Sequence, residues 1–295
     1  MASIVKTIAA RVPWWGKVGA KIFLARLPVS YQSWKRLHLF EHGAMQDPAY
    51  AYGVFQRHFD AAQSRKTLNN FVGLELGPGD SLLSAMAAHA HGSSAYYLVD
   101  AAWNIDADIK NYRAMAGFLV AQGFPMFAEA DLESVETILE RCRACYVTSG
   151  LDSLRAIPTG SVDFVWSHSV LQHVRYSAFL QTLRELRRIH RPDGVSSHWI
   201  DLQDCMGGAL NNLRFGDAIW ESSLSSGFYT NRIRYSQMLS LFREAGFEAD
   251  VLTIKRWDRL PTPRGKLNTR FRDLSDEDLL VRCFHVILMP VRHTN

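Results

Sequence analysis

Long apolar runs are missing from this 295-residue chain, which has no window of 18 consecutive apolar residues, so a membrane-spanning helix is not expected. Lys6, Arg11, Lys17 and Lys21 interrupt the N-terminus, which spoils a signal-peptide core. Cysteine is sparse: Cys142, Cys145, Cys205 and Cys283 fit a reducing cytoplasm rather than a disulfide framework. The Cys142-x-x-Cys145 pair lacks a second pair or a nearby histidine pair, so it reads as two half-buried thiols and no metal site is expected. A strong charge imbalance is also absent. A net charge of +4 and a pI near 8.9 are too mild to argue nucleic-acid binding without clustering.

Acids are absent before Glu41, while residues 1–40 carry seven Lys and Arg beside Trp14, Trp15, Phe23, Trp34 and Phe40. Two readings fit. One is an N-terminal helical arm packing its aromatics on the main domain; the other is peripheral contact with an anionic membrane surface. Pro13 and Pro28 break any long amphipathic helix in this stretch. The whole chain is 47% hydrophobic and 21% charged, enough for one sizeable core. The expected organisation is an arm or cap over 1–65 and one domain over 66–295.

The chain is organised around Phe71-Val72-Gly73-Leu74-Glu75-Leu76-Gly77-Pro78-Gly79-Asp80-Ser81. An apolar run ends in a carboxylate, a glycine bend follows, and Leu82–Ala88 reads as a helix. Strand, tight turn and helix open a nucleotide-binding α/β fold. Gly77 and Gly79 allow positive φ and close approach of a ligand to the backbone. The third glycine of the dinucleotide fingerprint is missing. About twenty residues on, Ala95-Tyr96-Tyr97-Leu98-Val99-Asp100 is a second β-rich run ending in an acid, where such folds hold a ribose. Then come Ser161-Val162-Asp163-Phe164-Val165-Trp166-Ser167 with Val170-Leu171-Gln172-His173-Val174, and the turn Arg191-Pro192-Asp193-Gly194.

In this order, over roughly residues 66–255, the four motifs resemble the class I S-adenosylmethionine-dependent methyltransferases. The resemblance implies an α/β fold: a Rossmann-like seven-stranded mixed sheet with helices on both faces and the last strand antiparallel, here with the N-terminal helical arm added. It implies S-adenosyl-L-methionine as cofactor and S-adenosyl-L-homocysteine as product. Glu75, Gly77, Pro78 and Gly79 would lie under the methionine part, Asp100 and Ala101 at the ribose and adenine edge, and the end of the fourth strand, Ser167 and His168, would face the sulfonium and methyl. The family places an acid at the end of the third strand; this chain has Leu151 there and Asp152 one position later, where capping the next turn is an equal reading.

Elsewhere, Asp47 and Pro48 read as a helix start, and that helix could lie over the cofactor pocket. Helices are expected over 109–122, 132–143 and 179–189, and strands over 146–148, 162–166 and 195–202. Residues 203–235 form a mixed polar and aromatic insertion, of a kind that in this family usually shapes the acceptor pocket. Ser236 is expected to cap a helix ended by Gly246, and 247–256 and 281–289 to pair antiparallel at the sheet edge. A second insertion over 256–280 holds Arg259, Arg264, Lys266, Arg270 and Arg272 against Asp258 and Asp273, either a clamp for an anionic group or a solvated loop. Ser275-Asp276-Glu277-Asp278 reads as a capping box.

Three side chains stand as candidates for a catalytic base. His173 has the better intrinsic pKa for neutral pH. His198 and Asp201 lie three apart on one strand and so point to opposite faces, with Asp201 nearer the carboxyl end where ligands bind. The expected reaction is O-methylation of a small-molecule or glycan acceptor bearing an anionic group, in the cytoplasm or peripherally at the inner membrane surface. Rival readings are a nicotinamide-dependent oxidoreductase and a membrane-surface adaptor that kept the fold without catalysis.

Overall fold

The computed structural model describes residue 16 and residues 44–128, 132–222, 225 and 228–291. The arm and the membrane contact expected of residues 1–40 therefore lie outside the described residues, residue 16 apart. The first described helix, α1 (Pro48–Gln63), starts as the sequence suggests: Asp47 accepts the Tyr50 amide at 2.8 Å and Pro48 takes the first helical position. Its apolar face carries Ala51, Val54, Phe55, His58, Phe59 and Ala62, all buried.

Seven strands form one sheet in the order β3-β2-β1-β4-β5-β7-β6. They are β1 (Val72–Leu76), β2 (Ala95–Val99), β3 (Ala144–Val147), β4 (Val162–His168), β5 (His190–Asp201), β6 (Phe247–Arg256) and β7 (Val281–Pro290). The first five are parallel; β7 runs antiparallel between β5 and β6. The parallel order reverses at β1 and β4, so the crevice at their carboxyl ends is where such a sheet binds ligands.

Helices cover both faces. On one side α1, α2 (Leu83–Ala90), α3 (Ile109–Ala121) and α4 (Val135–Arg141) pack a core that includes Phe55, Met86, Tyr96, Leu119 and Trp166. On the other side α5 (Leu151–Ala156), α6 (Tyr176–Ile189) and α8 (Tyr235–Glu244) pack with Val165, Leu183, Ile200, Phe242 and Val286. A short α7 (Asp217–Trp220) follows β5; α9 (Thr269–Arg272) and α10 (Asp276–Leu279) precede β7. Ser275 caps α10, accepting the Asp278 amide at 3.2 Å.

Two local expectations change. The Arg191–Gly194 turn does not end a helix ahead of a separate strand: Val162 pairs with His190 and Phe164 with Val195, so the turn bulges out within β5. Gly194 is needed there, because a Cβ would meet Val162 O at 3.2 Å and the His190 ring at 2.9 Å. Ser236 does not cap α8. Arg234 holds the cap position, and the Ser236 amide instead donates to Asp278 Oδ1 at 2.7 Å.

Candidate active site at the carboxyl ends of the parallel strands

The turn after β1 is built from two glycines at positive φ, Gly77 at +74° and Gly79 at +71°. Gly77 N–H donates to Val99 O at 2.8 Å, locking the turn to the end of β2. The Gly79 amide donates to Asp100 Oδ2 at 3.1 Å, and the Ala101 amide to Asp100 Oδ1 at 2.6 Å. Nothing lies within 4 Å of where a Gly79 Cβ would be, so the backbone is bare on that side and a ligand can approach it. Below the turn Glu75 is buried and takes a hydrogen bond from the Ser84 hydroxyl of α2. Burial pushes its carboxyl up to about 8, against the pull of that hydrogen bond.

A cavity of about 650 Å³ opens over this floor, a size suited to a small ligand. Glu75, Gly77, Pro78, Gly79, Asp80 and Asp100 line one side, and His168, Ser169, Val170 and His173 line the other. Met45 and Tyr50 close it from above, so the start of α1 does lie over the pocket. Gln46 anchors that segment by donating to Asp106 Oδ2 at 3.1 Å and Asp80 Oδ2 at 3.5 Å.

Of the side chains expected at the cofactor, Glu75, Gly77, Pro78, Gly79 and Asp100 share this cavity; Ala101, Asp152 and Ser167 do not line it. Asp152 turns outward, its side chain 75% exposed and paired with Arg155 at 2.7 Å. Ser167 is fully buried beneath the wall, its hydroxyl 2.8 Å from His198 Nδ1. That contact also removes His198 as a base: the ring is buried on the far face of the sheet from His168, and burial lowers it to about 3. Asp201 is held by the Gln203 amide at 2.9 Å and the Gln203 side chain at 3.0 Å, away from the wall. Only His173 among the three candidates reaches the cavity. Its Nδ1 lies 2.9 Å from Tyr229 O, a contact that requires the proton on Nδ1 and leaves Nε2 as the acceptor.

Among the described residues, none from 203–235 or 256–280 lines the cavity. The first insertion touches the site through the Tyr229 carbonyl on His173. In the second, the arginines serve structure rather than a clamp. Arg264 pairs with Asp276 and donates to Leu274 O at 2.7 Å, Arg270 pairs with Asp217 at 2.8 Å, and Arg272 donates to Leu267 O at 2.8 Å.

Of the two residues expected at the end of β4, His168 lines the cavity and Ser167 does not, while Asn104 and Val170 line it without having been singled out by the sequence. A side chain one position along a strand faces the opposite side.

Residues 74–197 match a family model described as a methyltransferase domain. No curated protein matches the chain. Among solved structures it is similar to a chain from the complex of the Haloferax volcanii Trm112 methyltransferase activator, at 18% identity over 84% of this chain and 96% of that one, with a TM-score of 0.45. It is also similar to an S-adenosylmethionine dependent methyltransferase from Mesorhizobium loti, at 15% identity over 78% and 96%, TM-score 0.43. A Haemonchus contortus phosphoethanolamine N-methyltransferase solved with S-adenosylhomocysteine matches at 12% identity over 80% and 53%, TM-score 0.43. The matched segment runs from the strand before the glycine turn into β5, so the part of the chain that builds the glycine turn and the cavity floor is similar to a methyltransferase domain, set within a seven-stranded Rossmann-like sheet.

Proposed function

We propose that this chain is a methyltransferase that methylates a hydroxyl group of a small acceptor carrying an anionic group. The observation that supports this reading is the cavity itself, whose lining combines a bare glycine turn, three carboxyl side chains (Glu75, Asp80 and Asp100) and the two imidazoles of His168 and His173. S-adenosylmethionine supplies an electrophilic methyl group, so the protein has to hold two reactants in line, exclude water and take one proton from a hydroxyl. Glu75, Gly77, Pro78, Gly79 and Asp100 would hold the cofactor. The imidazoles of His168 and His173 flank the side left for the acceptor and are the only imidazoles among the described lining residues.

An anionic acceptor has support from a different place than the sequence suggested. Arg57 of α1 and Lys255 of β6 both lie over the Trp199 ring, at 5.8 and 5.1 Å, and Trp199 stacks on His168 at 6.0 Å. Both cations are exposed and form no ion pair among the described residues.

The test is a methyl-release screen pairing hydroxylated carboxylates and phosphates with uncharged analogues. Turnover of the anionic members, with Arg57→Ala raising KM for those alone, supports the reading. Turnover confined to amines or thiols sinks it.

A further inference from the structure

Behind the cavity wall, four side chains from four different elements form one hydrogen-bonded line. His168 Nδ1 at the end of β4 lies 3.1 Å from His58 Nε2 of α1. His58 Nδ1 lies 2.8 Å from Ser197 Oγ of β5, and Ser197 Oγ lies 2.8 Å from His285 Nε2 of β7. Register explains the meeting: His168 pairs with Trp199, and Trp199 with His285, so the three stand in a row across adjacent strands. Ser197 is two residues before Trp199 and faces the same side, and His58, fully buried, lies over the row. Nε2 of His168 makes no hydrogen bond among the described residues, on a side chain that lines the cavity. At the other end the same is true of His285 Nδ1.

Resting on the methyltransferase reading above, we propose that His168 is the base that takes the acceptor's proton and that His58, Ser197 and His285 carry it away from the cavity. His168 would be the catalytic residue and the other three positioning residues. A neutral imidazole has one N–H and one lone pair, and a hydroxyl one proton to give. With three neutral rings, three satisfied bonds and the Ser197 hydroxyl donating to one of its two ring neighbours, two arrangements are possible. In one, all three rings carry their proton on Nδ1, and His168 presents a lone pair to the cavity. In the other, all three carry it on Nε2, and His168 presents a donor.

Transfer converts the first arrangement into the second. The acceptor O–H proton passes to His168 Nε2 as the acceptor oxygen gains the methyl. The Nδ1 proton of His168 moves to His58 Nε2, that of His58 to Ser197 Oγ, and the Ser197 proton to His285 Nε2; the Nδ1 proton of His285 leaves to water. One proton enters, one leaves, and no ring stays charged. Once the product has left, the reverse relay restores the starting arrangement: water gives a proton to His285 Nδ1, each proton shifts back one place along the line, and His168 Nε2 releases its proton to water in the emptied cavity.

Neutrality is what the surroundings enforce. Burial lowers His168 and His285 to about 4 and His58 well below its ordinary value, with Arg57 adding repulsion at all three. The groups facing the line are Arg57 and the imidazoles themselves, with His198 adding a further repulsion at His58. A stranded imidazolium is therefore costly here, and a line that hands its charge on avoids it. At His173 the Nδ1 proton faces the Tyr229 carbonyl, which has no proton to hand on. The rings also do not converge on a shared point: among the described residues no group of three His, Cys, Asp or Glu is placed to hold a metal ion.

The test begins with full-length protein labelled with ¹⁵N-histidine. The expected spectrum assigns His58, His168 and His285 neutral at pH 7 with one common tautomer; mixed tautomers or a charged ring overturn the line. Ser197→Ala should lower kcat roughly tenfold, the kinetic equivalent of one lost hydrogen bond. It should leave adenosylhomocysteine affinity and acceptor KM unchanged and turn a curved solvent-deuterium proton inventory straight, while Ser197→Thr keeps the curvature. His168→Gln should lower kcat by about 100-fold or more, and His173→Gln should act mainly on KM. A wild-type inventory in Ser197→Ala, or kcat lost in His173→Gln and kept in His168→Gln, overturns the assignment. Failure of the wild-type protein to bind adenosylhomocysteine would instead remove the methyltransferase reading beneath it. Should Ser197→Ala lose its fold, the tautomer measurement on unaltered protein still decides.

Discussion

Gly77 and Val170 approach so closely that a Cβ on the glycine would sit 2.5 and 2.6 Å from the two valine methyls. The glycine also holds a φ of +74°, which an L side chain adopts at a cost of about 1–2 kcal/mol. Two penalties therefore meet in Gly77→Ala, which should lower thermal stability and weaken adenosylhomocysteine binding by more than tenfold in calorimetric titration. Val170→Ala added to it should relieve the clash and leave the backbone term. Gly79→Ala has only the backbone term, because its Cβ would meet open space, and should cost about 1 kcal/mol of stability.

Glu75 gives a proton-linked prediction. Its folded value of about 8 lies above the ordinary 4.5, so the free protein holds this carboxyl protonated at pH 7. The stability it contributes is complete below pH 4.5 and is lost as pH rises through 8. Glu75→Gln, measured without ligand, should therefore melt above wild type at pH 9 and lose that advantage at pH 6. Binding of the ammonium-bearing cofactor product should expel the proton. Enthalpies measured at pH 7 in buffers of different ionisation heat should differ for wild type and agree for Glu75→Gln.

Acid lability should be steep for another reason. Burial depresses His58, His168, His190, His198 and His285 below the ordinary 6.5. Lowered values favour the folded state above pH 6.5, and that stability is lost as pH falls toward 4. Each such ring steepens the dependence by up to about 1.4 kcal/mol per pH unit. Urea midpoints should fall sharply between pH 6.5 and 4.5, and His190→Gln should flatten part of that slope.

Arg234 joins the end of β5 to the start of β7. Its guanidinium is fully buried and donates to Leu202 O at 2.9 Å, Asp278 O at 3.2 Å, Leu279 O at 3.0 Å and Val281 O at 2.7 Å. Arg234→Met would leave those carbonyls without their donor, at a cost of about 3–5 kcal/mol, read as a lower urea midpoint. Arg234→Lys should recover only part of it, because one ammonium cannot span the four oxygens.

Strand order and the cofactor floor were legible because each rests on local pattern. Leu76 to Asp80 spell their own turn, and Asp100 ends its own strand. The helix over the pocket was legible from Asp47 and Pro48 alone. What escaped depends on distant pairs: His58 meets His168 across 110 positions, His58 meets Ser197 across 139, and Ser197 meets His285 across 88. No periodicity encodes such meetings. Ser167 and His168 were both expected at the methyl end, and strand alternation allows only one of two neighbours to face it, a choice the sequence makes only once the buried faces are known. Ser236 failed as a cap because Arg234 enters α8 with its side chain buried among carbonyls, a tertiary preference that overrides the local one.

The roof of the cavity, Met45 and Tyr50, and the ring that backs His168 all precede the matched segment 74–197. The lid and the ring behind His168 thus belong to a covalent stretch separate from the one that builds the glycine floor, and the two meet near residue 64. Transplanting the leading segment from a homologue onto this sheet would exchange the lid and the histidine contact together, with the Gln46 bonds to Asp80 and Asp106 the contacts to be remade on the floor side.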